Sequence, residues 1–252
     1  MANLSVAVIT YNEERNIARC LDSVSDIADE IVIIDSYSTD QTVTIAEKHG
    51  AVVFSRPFSG YRDQKNMALA RTSHPLVLSL DADEALTPEL KASIAHIKAN
   101  PQKDAYTFNR LTNFCGKWIY HSGWYPDKKL RLFDKRKASW GGENIHEKVV
   151  LQEGTKTGHL EGNLLHYSFS SIEEHVSQIN KFSSLKAKVL FQKGKRTGVA
   201  KMLFSPFVKF FRHYILKAGF LDGFYGFVIS KNSAHSVFLK YAKLREMNRP
   251  KQ

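Results

Sequence analysis

The first hundred residues alternate short apolar runs with patterns of helical periodicity. The runs LSVAVI (4–9), EIVIID (30–35) and PLVLSL (75–80) are rich in Val, Ile and Leu, which is typical of parallel strands buried on both faces. Apolar residues recur at helical spacing between them, and Thr87 with Pro88 predicts the start of a further helix. This order predicts a doubly wound α/β sheet, which binds ligands at the carboxyl ends of its strands.

The pattern changes twice further along the chain. From residue 104 to 170, strand-like pieces alternate with loops rich in aromatic residues, and from 171 the chain becomes helical and basic. We therefore expect three regions. Residues 1–103 form the ligand-binding half of the α/β domain, residues 104–170 form its second half, and residues 171–252 form a helical extension.

Polar residues follow three of the predicted strands. The three segments are Thr10–Glu14, Asp35–Asp40 and Asp81–Glu84. In an extended segment Asp81 and Asp83 project to the same side, and two carboxylates of this kind suit Mg²⁺ or Mn²⁺. An acidic turn before the next helix is the alternative interpretation. Asp35 ends a buried strand, where a carboxylate can accept hydrogen bonds from a base edge or from ribose hydroxyls.

The sequence motifs that identify several enzyme classes are absent from this chain. It contains neither GxxxxGK[ST] nor GxGxxG nor GxSxG, which argues against P-loop NTPases, Rossmann dehydrogenases and α/β-hydrolases. The two cysteines, Cys20 and Cys115, are too few for a disulfide framework or a zinc site. The first residues lack the basic region of a signal sequence, and the apolar runs are too short to span a membrane, so we expect a cytoplasmic protein.

Taken together and in order, the motifs resemble a known enzyme family. Four segments within residues 4–90 resemble the family 2 inverting glycosyltransferases of the GT-A fold: VAVITYNEERNIARCLDSV, IVIIDSYSTDQTVTIA, QKNMALA and VLSLDADE. Four later segments resemble the lipopolysaccharide core β-glucosyltransferase subgroup: KLRLF (129–133), GGENIHEKV (141–149), LLHYS (164–168) and AGFLDGFYGF (218–227). The resemblance implies a GT-A mixed sheet, with a nucleotide-sugar-binding half and an acceptor-binding half, followed by the helical extension.

The resemblance also implies roles for individual residues toward a UDP-sugar donor. It assigns the nucleoside to Thr10, Tyr11, Glu13 and Asp35, the ribose to Asp81 and the metal-diphosphate to Asp83, with Mg²⁺ or Mn²⁺ as the metal. Further contacts to the nucleotide sugar fall on Gln64, Lys65 and Asn66, although Lys65 would equally suit a solvated helix face. Arg131 is a candidate for the diphosphate and His166 for the metal, while a lone histidine is more often structural.

The candidates for the general base are carboxylates in the second region of the chain. Many members of the family carry an ED pair in the second half, and this sequence has none. Glu147 follows a Gly-Gly turn and precedes KVVLQ, and the subgroup places a His-Glu pair here, so Glu147 is our candidate base. Asp127 and Glu143 are the alternatives, as is a structural ion pair of Glu147 with Lys148 or Arg131.

Aromatic residues of the second region suggest an acceptor site. Trp118, Trp124 and Tyr125, with Tyr120 nearby, could stack on acceptor sugars. Ordinary core packing is the alternative for each of these rings.

The positive charge of the chain is concentrated in its C-terminal part. The formal net charge is +11, residues 181–252 carry +14, and the preceding residues carry −3. This distribution argues against a nucleic-acid enzyme. Between 201 and 217 a helical stripe of apolar residues runs beside Lys and Arg, which is typical of a helix lying on an anionic membrane surface. Pro206 fits only near a helix start. Packing against the catalytic domain or within a homodimer is the alternative.

We therefore predict a metal-dependent inverting glycosyltransferase. It would move a hexose, glucose from UDP-glucose, to a lipid-linked glycan such as the lipopolysaccharide inner core, at the inner face of the cytoplasmic membrane. A sugar nucleotidyltransferase is the alternative enzyme, but TYNEERN stands where that class has a glycine-rich phosphate loop. A non-catalytic membrane-binding module on a glycosyltransferase fold is the alternative outside enzymes.

Overall fold

The computed structural model describes residues 2–142 and 147–249. These residues form two compact units. The first unit contains the described residues up to 110 together with those of 127–167, and the second contains residues 111–126 and 168–249. The region boundaries expected after residues 103 and 170 stay predictions.

Strands and helices alternate through the first ninety-nine residues. Their order is β1 (Leu4–Thr10), α1 (Ile17–Asp22), β2 (Glu30–Asp35), α2 (Thr42–Lys48), β3 (Val52–Ser55), α3 (Tyr61–Arg71), β4 (Leu76–Asp81), β5 (Glu84–Leu86) and α4 (Pro88–Ala99). Strands follow as β6 (Ala105–Phe114), β7 (Lys117–Ile119), β8 (Asp127–Asp134), β9 (Ala138–Gly141), β10 (Lys148–Leu151) and β11 (Thr157–Phe169).

The main sheet has the strand order β3-β2-β1-β4-β8-β6-β11-β5. Strands β1 to β4 are parallel, whereas β8 runs antiparallel to β4, and β6 antiparallel to β8. The register aligns Thr10 with Asp35 and Ile9 with Asp81, so the polar strand ends meet at one edge. This mixed sheet confirms the predicted α/β class.

Alternating residues of the central strands face two apolar layers. On one face, Val6 and Val8 of β1 belong to a core that includes Leu21 of α1 and Leu90 of α4. On the other face, Ala7 belongs to a second core with α3 and Trp140; the α3 members are Ala68 and Leu69. Helices therefore cover both faces, as continuous apolar strands require.

Two helix starts, the predicted one at Thr87 and the one at Ser171, are capped by a side chain. The Thr87 hydroxyl accepts a hydrogen bond from the Leu90 backbone N–H at 3.3 Å, with Pro88 as the first helical residue. At α5 (Ile172–Gln192), the Ser171 hydroxyl accepts from the Glu174 backbone N–H at 3.1 Å. Each cap satisfies a backbone donor that the helix itself leaves unpaired.

The C-terminal part of the second unit is helical, as predicted. After α5 come α6 (Val199–Phe211), a π-helical turn (Arg212–Leu216), a 3₁₀ turn (Gly219–Asp222) and α7 (Gly223–Met247). Helix α6 continues through Pro206, so the expectation that this proline lies near a helix start is wrong, and nothing in the described contacts explains it. Within residues 2–142 and 147–249, no helix is both long and apolar enough to cross a membrane.

Candidate active site

The loops after β1 and β2 are bound to each other. The Asn12 N–H donates to the Ser38 hydroxyl at 2.8 Å, the Thr39 N–H donates to the Asn12 side-chain oxygen at 2.8 Å, and the Glu13 N–H donates to the Thr42 hydroxyl at 2.7 Å. The polar residues of both motifs thus build one paired loop system at the end of the sheet.

The four residues expected to hold a nucleoside differ in their surroundings. Asp35 is buried and accepts hydrogen bonds from the Ser38 N–H and hydroxyl at 2.9 and 2.5 Å. The Thr10 hydroxyl is buried and has no hydrogen-bond partner among the described residues, whereas the Tyr11 side chain is 57% exposed. Burial raises the pKa of Glu13; Asn16 opposes this by hydrogen bonding, and the Asp83, Asp40 and Asp81 carboxylates add to it.

Asp81 lies between two buried cations. Its carboxylate is 2.9 Å from the Lys65 ammonium and 2.8 Å from the Arg131 guanidinium. Burial alone would raise the pKa of Asp81, but Lys65 and Arg131 outweigh it and hold the pKa well below its usual range. Lys65 is only 2% exposed, so the alternative of a solvated helix lysine is wrong.

The candidate base Glu147 lies in the same cluster. Its Oε1 atom is 3.0 Å from Lys65 Nζ. The ion pair considered from sequence involved Lys148 or Arg131; the direct partner in the structure is Lys65, and the Glu147 charge also contributes to the raised pKa of Arg131. Of the alternative bases, Asp127 pairs with Arg110 at 2.9 Å and with Lys129 at 3.0 Å. Glu143 lies outside the described residues.

The two remaining α3 candidates make contacts within the first unit. The Gln64 side chain is buried and donates to the Ser36 hydroxyl at 2.9 Å, while its oxygen has no partner among the described residues. Asn66 donates to the Trp140 carbonyl at 2.8 Å and accepts from the Trp140 N–H at 3.0 Å. Each end of the Asn66 amide makes one hydrogen bond to the Trp140 backbone, and its contact with the donor stays a prediction.

Asp83 and His166, the expected metal ligands, are neighbours. Asp83 Oδ2 is 3.2 Å from His166 Nε2, and the Tyr167 N–H donates to the Asp83 carbonyl at 2.9 Å. Asp81 and Asp83 thus have different ionic partners. In the part of the chain that the structure describes, no three His, Cys, Asp or Glu side chains form a metal-binding group. One carboxylate and one imidazole fit a cation that takes its other ligands from a diphosphate and water.

Comparison with known proteins decides the family. The model of glycosyl transferase family 2 matches residues 5–155. The chain belongs to glycosyl transferase family 2. Membership and the doubly wound mixed sheet together confirm the GT-A fold class expected from the sequence.

Full-length relatives support the same assignment. An uncharacterized glycosyltransferase of Rickettsia typhi is 36% identical over 98% of this chain and 88% of its own length. The lipopolysaccharide core biosynthesis glycosyltransferase LpsC of Rhizobium meliloti is 31% identical over 96% of this chain and 91% of its own. Among solved structures, glucosyl-3-phosphoglycerate synthase of Mycobacterium tuberculosis is 26% identical over 44% of each chain, with a TM-score of 0.38. That last likeness is partial, and the family rests on the sequence matches.

In this glycosyltransferase, sequence reasoning missed Glu84. Its side chain is fully buried and accepts hydrogen bonds from the Asp81 backbone N–H at 3.0 Å, from Arg131 at 3.2 Å and from Arg110 at 3.3 Å. Burial lowers the pKa of Arg131, but Glu84 and Asp81 outweigh it and raise that pKa. Glu84 ends the DADE segment, so a signal was present, but from the sequence only the two aspartates of that segment receive roles.

Two aromatic residues near the carboxylates were also missed. The Trp140 ring lies 4.4 Å from Lys65 Nζ and 5.1 Å from the Arg131 guanidinium carbon. The pKa of Tyr61 is raised by burial and then by the Asp81, Glu147 and Asp83 charges. Neither residue belongs to a recognisable motif, and only folding brings them to the cluster.

The expected acceptor residues belong to the second unit. Trp124 packs edge-on against Phe114 and His175, with ring centroids 5.8 Å apart in both pairs. Tyr125 packs against the exposed Tyr120 at 5.7 Å, and Trp118 is half-buried in β7. Core packing therefore accounts for Trp124, while an acceptor role for Trp118, Trp124 and Tyr125 stays a prediction.

Proposed function

We propose that this glycosyltransferase transfers a hexose from a nucleotide sugar with inversion at the anomeric carbon, using Glu147 as general base. One observation carries the proposal: the buried Lys65 ammonium pairs with Asp81 at 2.9 Å and with Glu147 at 3.0 Å. The strand end expected to hold the donor and the carboxylate expected to accept the proton therefore belong to one ion network.

A single displacement follows from these roles. The acceptor oxygen bonds to the anomeric carbon, the bond from that carbon to the diphosphate breaks, and the nucleoside diphosphate leaves. Glu147 takes the proton of the attacking hydroxyl. Its side chain is 17% exposed, so an acceptor can reach the carboxylate while Lys65 holds it.

The nucleoside is assigned to the paired loops after β1 and β2. The buried Thr10 hydroxyl, which lacks a partner among the described residues, and the exposed Tyr11 ring support this assignment. A base or ribose would supply the hydrogen bond that Thr10 lacks and a surface on which Tyr11 can stack. UDP is the nucleotide that we propose, from the motif resemblance.

The divalent cation, Mg²⁺ or Mn²⁺, is assigned to Asp83 and His166. Their 3.2 Å separation and their oxygen and nitrogen donors support this pairing. When bound, such a cation would neutralise the charge that develops on the leaving diphosphate. Arg131 and Lys65 supply further positive charge beside Asp81.

Glucose and a lipid-linked glycan such as the lipopolysaccharide inner core are the proposed donor sugar and acceptor. Similarity to LpsC over 96% of this chain supports that acceptor class. The described part of α6 has no buried residue, and Phe204 and Phe207 are 69% and 70% exposed. This apolar surface, beside the exposed Lys201 and Arg212, supports a peripheral position on an anionic membrane.

The test is a transfer assay with a panel of nucleotide sugars, Mg²⁺ or Mn²⁺, and a lipid extract as acceptor. We expect UDP release with UDP-glucose that depends on the metal and increases with the extract. Activity with a different nucleotide sugar would overturn the donor assignment alone. No release from any nucleotide sugar, with bound UDP undetectable by calorimetry, would overturn the proposed function.

A further inference from the structure

Lys65 occupies an unusual position for a lysine. It lies on α3 and is 2% exposed, although lysine is almost never buried unless it is paired. Its ammonium contacts two carboxylates from distant parts of the chain, Asp81 at the end of β4 and Glu147 just before β10. A buried cation between two anions is held in place by both charge and geometry.

The surroundings of Lys65 restrict where its ammonium can lie. The Trp140 ring is 4.4 Å from the ammonium, and the backbone of Trp140 is held by the side chain of Asn66, the next residue on α3. The helix and the ring are thus fixed to each other directly beside Lys65. The ammonium is therefore preorganised to receive the Glu147 carboxylate in one place.

The two carboxylates depend on Lys65 to different degrees. Asp81 also pairs with Arg131 at 2.8 Å and therefore keeps a cationic partner when Lys65 is removed. Glu147 pairs directly with Lys65 at 3.0 Å, whereas the Arg131 charge acts on it without an ion pair among the described contacts. Loss of Lys65 should therefore affect the Glu147 carboxylate more than it affects Asp81.

We propose that Lys65 is a positioning residue that holds the Glu147 carboxylate aimed at the acceptor hydroxyl, rather than a residue that binds the donor. This inference rests on the proposed function, because it takes Glu147 to be the base. It replaces the donor contact that the motif resemblance implies for Lys65. If Lys65 acts through Glu147, substitutions at the two positions should not be additive.

The test is a double-mutant cycle on the full chain with Lys65→Met, Glu147→Gln and both together. We expect each single variant to lower turnover by ~10²-fold, because both disable the same proton transfer. The double variant should be no slower than Glu147→Gln alone. The affinity for UDP with Mg²⁺, measured by calorimetry, should stay within about threefold of wild type in all three.

Two further variants separate positioning from folding. Lys65→Arg keeps the charge and should recover part of the turnover that Lys65→Met loses. Lys91→Met removes a half-exposed lysine that pairs with Asp26 at 3.0 Å, and it should leave turnover unchanged. If Lys65→Met is unstable by thermal melting, the cycle is repeated with Lys65→Arg as the perturbing variant.

The outcomes distinguish this inference from the proposed function. Multiplied losses in the double variant, or a UDP affinity lowered tenfold or more by Lys65→Met, would assign Lys65 to donor binding and overturn the inference alone. Full turnover by Glu147→Gln would overturn the proposed base, and the positioning role with it.

Discussion

Among single residues, Glu147 carries the sharpest chemical prediction. Glu147→Gln should lower turnover by ~10²-fold or more and leave the affinity for UDP near that of wild type, because the amide cannot accept the proton. Initial rates and calorimetric UDP binding check this. Glu153→Gln, which changes an exposed acid further along the chain that we assign no role, is the control. An equal loss of UDP affinity would make Glu147 a binding residue, and unchanged turnover would make Asp127 and Glu143 the next candidates.

The proposed metal site is tested by substitution of Asp83. Asp83→Asn should abolish transfer while the fold stays intact, since a neutral amide is a poor replacement for an ionised ligand at a diphosphate. Metal titrations of activity, with melting curves as the check on folding, test this. Asp104→Asn removes an acid that pairs with Lys137 at 2.6 Å and should keep full activity. Undiminished transfer by Asp83→Asn, or full activity of wild type in EDTA, would contradict the assignment.

At the scale of elements, packing contacts explain the residue types found in segment 218–227. Asp222 is buried and accepts hydrogen bonds from the backbone N–H groups of Tyr120 and His121 at 3.2 and 2.9 Å. A Cβ atom on Gly226 would lie 1.9 Å from the Gly219 carbonyl oxygen, so a side chain there requires the backbone to move. This motif therefore anchors the loop that carries the aromatic candidates.

We predict that Asp222→Ala lowers the free energy of unfolding by about 1–3 kcal/mol, because it leaves two part-buried backbone donors without their charged acceptor. Chemical denaturation with far-UV circular dichroism measures this. Glu246→Ala, which removes an exposed acid on the same helix α7, should change the stability by less than about 0.5 kcal/mol. Equal losses in the two variants would mean that Asp222 does not anchor the loop.

At the scale of the whole molecule, charge and apolar exposure both concentrate in the C-terminal part. Of the stripe expected between 201 and 217, five side chains are exposed, whereas Phe210 and Tyr214 stack on each other at 5.3 Å. The exposed members are Leu203, Phe204, Phe207, Phe211 and Ile215. Burial lowers the pKa of Lys209, and the neighbouring Arg212, Lys186 and Lys240 lower it further. Several cationic side chains therefore lie close together around Lys209.

We predict that Phe204→Asp/Phe207→Asp weakens binding to phosphatidylglycerol vesicles by roughly tenfold or more, because each buried aromatic ring contributes about 1.5–3 kcal/mol. Co-sedimentation at low and high salt measures this, and salt should weaken wild-type binding. Phe58→Asp, at a 54% exposed position of the first unit, is the control. Equal binding by all variants, or a dimer that the double substitution dissociates, would contradict the membrane proposal.

The fold and the strand-end residues could be predicted from the sequence because their causes are local. Val and Ile runs specify buried strands, and the parallel order of those strands brings Thr10, Asp35 and Asp81 to one edge of the sheet. Thr87 and Pro88 specify a helix start because a cap needs only the residues beside it. The family motifs lie in these same segments.

The ion network could not be predicted because it depends on residues that are distant in sequence. Lys65 and Glu147 are 82 residues apart, and no spacing rule relates them. Taking a lysine out of water costs free energy, which is offset only when the tertiary structure brings the two carboxylates into contact with it, so its burial is a property of the tertiary structure. The sequence alone determined which side chains end the strands, and the packing of α3 against Trp140 decided which cation holds Glu147.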